Sequence, residues 1–91
     1  ANPDLGILKM DVFPNPFTAN IVLQIEATTA QQIQLEITGV TGQQITQQSV
    51  PITPGKQFIP LAVEKNISVG VYILTVKNDL QVIGYFKIVK Q

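Results

Sequence analysis

The chain has 91 residues, 45% of them hydrophobic and only 13% charged, which is the length and apolar content of one domain with one core. Six Lys balance six acidic residues, and the sequence contains no Arg, His, Cys or Trp. Composition therefore excludes the usual proton shuttle near neutral pH, the thiolate nucleophile, the best zinc ligands and the bidentate phosphate fork, and with them much ordinary enzymology.

The N-terminal Ala1-Asn2-Pro3-Asp4 has neither the positive region nor the apolar core of a secretory signal. Residues 1–7 read as a linker and residues 8–91 as the domain. Leu8 to Phe13 predicts a first strand, stopped by Pro14-Asn15-Pro16, since proline fixes φ and cannot join a ladder. Asn15, between two prolines, is pushed toward an extended conformation.

Ile21, Leu23 and Ile25 share one face of a second strand while Gln24 and Glu26 point away, and Ile33, Leu35 and Ile37 share one face of a third with Gln34 and Glu36 between them. Strict alternation of this kind marks half-buried antiparallel strands. Gly39-Val40-Thr41-Gly42 predicts a turn into a shorter, polar strand, Gln43 to Gln47. Pro51, Pro54 and Gly55 then break the chain ahead of Gln57 to Val63, which Pro60 marks as an edge or bulged strand.

Glu64 to Gly70 reads as a loop with Ile67 tucked back into the core. Val71 to Val76 is apolar on both faces except at Thr75, as a central strand is, and Tyr72 is a buried residue whose hydroxyl needs a partner. Asn78-Asp79 suits the positive φ of a two-residue hairpin turn, and the return strand runs from Leu80 to Val89 with Gly84 as a candidate bulge. Seven short strands spaced about ten residues apart predict an all-β fold, an immunoglobulin-like antiparallel β-sandwich.

The eleven Gln mostly fall at outward positions, giving an uncharged solvent face. Residues 1–40 hold one Lys against four acids and residues 41–91 five Lys against two acids, but a sheet interleaves the two halves. No Lys cluster supports counterion-release binding to nucleic acid. No apolar run approaches the ~18 residues of a membrane-spanning helix, and the lack of cysteine is compatible with either redox compartment.

Ser49 and Ser68 have no histidine to activate them. The acids show no calcium-loop spacing, and Glu26 with Glu36, on what could be neighbouring strands, reads as a solvent-facing pair. Asn66-Ile67-Ser68 matches the N-glycosylation triplet by coincidence. Phe13, Phe17, Phe58, Tyr72, Tyr85 and Phe86, scattered along the chain, look more like core packing than a sugar-stacking platform. No catalytic residue, metal site, cofactor or small-molecule substrate is expected.

Three stretches together resemble a known family. Val12-Phe13-Pro14-Asn15-Pro16-Phe17 resembles the opening V-Y-P-N-P block of the C-terminal sorting domains of type IX secretion cargo (type A, the Por secretion tail family). Ile37 to Gln43 stands where that family has a strand ending in D-x-x-G-[KR]; Gly42 matches, while Gly39 replaces the acidic residue and Gln43 the basic one. Ile67 to Val76 matches L-x-x-G-x-Y-x-[LV]-x-[VI] through Gly70 and Tyr72, and Lys87-Ile88-Val89-Lys90-Gln91 resembles the family's closing basic-aliphatic strand.

The resemblance covers about residues 8–91 and implies an export signal of a Bacteroidetes-type bacterium, carried by a larger secreted or surface protein upstream of residue 1. It implies passage through the periplasm and the type IX translocation machinery to the cell surface or medium, with a sortase-like peptidase cutting near residues 1–8. The recognition residues it points to are Pro14, Asn15, Pro16, Gly42, Gly70, Tyr72, Lys87, Ile88, Val89 and Lys90. Turn geometry and burial account for most of them without a receptor; Lys87 and Lys90 are the two that core packing does not require. The expected contact is strand addition to an exposed edge of Leu80 to Gln91. Two other readings stay open: an accessory module binding glycan for a neighbouring enzyme, and a structural spacer.

Overall fold

A strand with one apolar face must lay that face against a second apolar layer. The computed structural model, which describes residues 6–61, 63, 67–79 and 81–91, meets this demand with seven strands and, among the described residues, no helix. They are β1 (Ile7–Phe13), β2 (Val22–Ala27), β3 (Gln31–Gly39), β4 (Gln44–Ile52), β5 (Gly55–Pro60), β6 (Gly70–Lys77) and β7 (Val82–Lys90). They form a three-stranded sheet, β1-β2-β5, and a four-stranded sheet, β4-β3-β6-β7, antiparallel throughout. This is the expected immunoglobulin-like sandwich.

On β2 and β3 the core is what alternation names, and β6 and β7 complete it. Leu23 and Ile25 on β2, Ile33, Leu35 and Ile37 on β3, Leu74 and Val76 on β6 and Ile88 on β7 are almost wholly buried. Ile67, ahead of β6, packs against this cluster. β6 lies between β3 and β7, the interior place its two apolar faces predict. β5 is an edge strand ending at Pro60, where a missing N–H breaks no ladder. Gly84 pairs with Val76 beside a register shift, and an added Cβ there would meet Met10 Cε of the facing sheet at 2.9 Å. The bulge and the bare backbone thus let the two sheets approach.

Several expectations need correction. The fourth strand is nine residues long and runs through Pro51, because β4 is an edge strand and tolerates the proline that was expected to break it. β6 ends at Lys77 and β7 begins at Val82, so the connection is longer than the expected two residues, and neither Asn78 nor Asp79 has positive φ. Asn78 donates its backbone N–H to the Gln81 carbonyl, and its side-chain oxygen accepts the Gln81 N–H, so a side chain replaces the left-handed backbone. The described part of the fifth strand stops at Pro60; Ala62, Glu64, Lys65, Asn66 and Leu80 lie outside the described residues.

Glu26 and Glu36 are on different sheets. Glu26 stands in register between Lys9 and Lys56, and Glu36 pairs with Lys77 at 2.9 Å, so the sequence's charge split forms no patch. The aromatics divide. Phe17 and Tyr72 are core and Phe86 is half-buried, but Phe13, Phe58 and Tyr85 are exposed, because strand parity turns them outward.

The strands also define two poles. Gly6, whose carbonyl accepts the Thr28 N–H, and the β2–β3 and β6–β7 turns lie at one. The β3–β4 turn, the start of β6 and the end of β7 lie at the other, since Gly39 registers with Tyr72 and Gly70 with Lys90.

Candidate recognition site

Pro14 and Pro16 have no N–H, so the segment between β1 and β2 has little backbone to offer a ladder. It follows β7 all the same. The Asn15 carboxamide, which like a peptide group has one donor side and one acceptor side, takes the place of backbone. Its Nδ2 donates to the Lys87 carbonyl at 2.8 Å, and its Oδ1 accepts the Val89 N–H at 3.0 Å. Phe17 continues the row: its N–H donates to the Val89 carbonyl and its carbonyl accepts the Gln91 N–H, each at 2.8 Å. The ring of Phe17 is buried in the core. The Phe13–Pro14 and Asn15–Pro16 peptide bonds are both cis.

The first and last motif blocks therefore meet, and the outer edge of β7 is occupied from the Lys87 carbonyl to Gln91. Leu80 to Gln91 is the expected contact strand, and this segment covers the C-terminal part of its edge.

The alternation of β7 assigns its four candidate residues. Ile88 is fully buried, in register with Tyr72, so its side chain serves packing. Lys90 follows the same parity inward and is 8% exposed. That corrects the expectation that core packing has no use for it: its aliphatic stem fills the end of the core, while Nζ donates to the Gln91 carbonyl at 2.9 Å. Lys87 faces outward and is exposed, and Val89 is half-buried.

The other two blocks face each other across a cleft of about 500 Å3 at the same pole. One wall is the β3–β4 turn, where the Gly42 N–H donates to the Gly39 carbonyl at 3.0 Å and the Gly39 N–H to the Gln43 carbonyl at 2.8 Å. Gly42 has φ +88°, the left-handed conformation that ends such a three-residue hairpin and that a side chain disfavours. The other wall is Ser68 to Tyr72. The Tyr72 hydroxyl donates to the Ser68 carbonyl at 2.6 Å, four residues back, and so ties down the chain entering β6. This is the partner the sequence required, in the tyrosine-corner arrangement of immunoglobulin-like sandwiches. Val40 and Val69, 75% and 74% exposed, stand on the two rims, and among the described residues none that lines the cleft is charged.

Four blocks scattered from residue 12 to residue 91 thus converge on one pole. The sequence model of one family, described as secretion system C-terminal sorting domain, matches residues 11–91. The chain belongs to that family. It is a family of type IX secretion sorting signals, found on secreted or cell-surface proteins, and not a family of enzymes. No curated protein matches the chain. Phe17 is the residue missing from the expected recognition set: it stands in the first block, but nothing local in the sequence shows that it anchors β7.

Proposed function

We propose that this sorting domain carries an attached cargo, joined ahead of residue 1, from the periplasm across the outer membrane to the surface or medium. The type IX translocation machinery reads it, and a sortase-like peptidase cuts within the stretch expected at residues 1–8, in the part that precedes β1 and so before Ile7. The pole where the Pro14–Phe17 segment, the β3–β4 turn, the start of β6 and Lys87 to Gln91 converge is the surface read. That convergence supports the reading, because the blocks are far apart in sequence and each has a different structural job. No cofactor, metal, nucleic acid or small-molecule substrate enters it.

The test fuses residues 1–91 behind a signal peptide and a reporter in a type IX-competent host. The full tail should deliver the reporter to the surface or medium, and its retention in the periplasm would overturn the assignment. Removal of the last five residues should abolish export. A Lys87→Glu variant, exposed and harmless to the fold, should weaken it. Equal export of all three tails would overturn the part given to the C-terminal strand.

The glycan-binding alternative has one observation behind it, the exposed pair Phe13 and Phe58 on the outer face of the three-stranded sheet. Their ring planes stand at 77°, which leaves no flat two-ring platform for a sugar. Retardation of the isolated domain in polysaccharide gels would revive that reading.

A further inference from the structure

The outward groups of β7 alternate, because every second residue pairs with β6. Asn15 takes the Lys87 carbonyl and the Val89 N–H, and Phe17 takes the Val89 carbonyl and the Gln91 N–H. The N–H and carbonyl of Tyr85 and the N–H of Lys87 have the same parity, and among the described residues no strand lies along them. Three free groups are too few for a docked strand, which usually spans about five or six residues.

The two halves of the covering segment differ in how they are held. Pro14, Asn15 and Pro16 are all exposed and are fixed to β7 by one carboxamide, whereas Phe17 is held by a buried ring. We propose that Pro14–Pro16 is a displaceable guard, hinged on Phe17, that occupies the place of a partner's strand. Displacing Asn15 frees the Lys87 carbonyl and the Val89 N–H. The edge then presents a continuous row from Tyr85 to Val89, enough for strand addition. The partner it fits is an extended peptide segment, read through its backbone, with an acidic side chain beside Lys87 and apolar side chains toward half-buried Phe86 and exposed Tyr85. This deepens the proposed use of β7 as a contact strand and rests on that reading.

Amide exchange on the isolated 91-residue chain tests the guard. The Val89 N–H should exchange about tenfold or more faster than the Phe17 N–H, because the Asn15 half opens while Phe17 stays docked. Equal rates for the two would overturn the hinge. Asn15→Ala should accelerate Val89 alone, and Asn15→Asp, which keeps the acceptor, should do so less. The partner is tested with a synthetic peptide of about seven residues alternating valine with glutamate, a length that matches an ordinary strand. It should shift the amide signals of Tyr85, Lys87 and Val89 and bind Asn15→Ala about tenfold tighter than the unaltered chain, as removal of a competing intramolecular occupant requires. Equal affinity, or shifts confined to another edge, would overturn the proposal while leaving the export assignment to its own test.

Discussion

Phe17 and Lys90 form a parallel bridge where, among the described residues, the strand pairs are all antiparallel. The bridge puts a buried ring and two backbone hydrogen bonds on the end of the last strand. Phe17→Ala should cost about 3–5 kcal/mol in urea unfolding, the usual range for a core phenylalanine. The Gln91 N–H should lose protection in the same variant. Phe17→Leu should cost less than about 1.5 kcal/mol and keep the bridge.

Tyr72→Phe removes one hydroxyl and leaves the Ser68 carbonyl without its donor. The expected loss is about 1–2 kcal/mol by chemical denaturation, with the circular dichroism spectrum unchanged. A loss below a few tenths of a kcal/mol would mean that the corner does not hold the start of β6.

Gly84 and Met10 meet across the two sheets, with 2.9 Å between the Met10 methyl and the place a Cβ would take. The methionine end is flexible, so Gly84→Ala should be mild, and Gly84→Val should cost about 1–3 kcal/mol by overpacking. Combined with Met10→Ala, the valine should cost less than the sum of the two single changes, with a coupling of about 0.5–3 kcal/mol in a double-mutant cycle. Strict additivity would place the crowding elsewhere.

The β3–β4 turn holds two glycines with opposite sensitivities. Gly42 has φ +88° and open space around it, so Gly42→Ala should lose about 1–2 kcal/mol through backbone conformation alone. At Gly39 the nearest atom to an added Cβ is the Gln43 carbonyl oxygen, 3.9 Å away, and the backbone is not left-handed. Gly39→Asp, which restores the family's usual acidic residue, should therefore be neutral or slightly stabilising, since aspartate favours the first position of such turns. Thermal unfolding of the two variants side by side separates these cases.

Alternation is legible because it reports which face of a strand is buried, and it names Leu23, Ile25, Leu35 and Ile37 as core without reference to any neighbour. The seven strands, the interior place of β6, the edge place of β5 and the need of Tyr72 for a partner all follow from local pattern. Neighbours do not. That β2 and β3 fall on different sheets, which separates Glu26 from Glu36, depends on how the whole set of strands packs. The hydrogen bond from Val89 to Asn15 joins positions 74 apart, and no residue near either one announces the other. Lys90 was misread for a different reason: its charge argued for solvent, while the parity set by Ile88 turned its stem inward.

The two poles have a mechanical consequence. A nine-residue strand spans roughly 30 Å, so of the 40, 23 and 20 Å dimensions only the longest lies along the strands. The polypeptide enters the sandwich at Gly6, on the pole away from the converged blocks. On the proposed reading, a cargo tethered there trails behind the end that is read. Its bulk would then sit a full strand length from the proposed point of contact, clear of whatever docks at the converged pole.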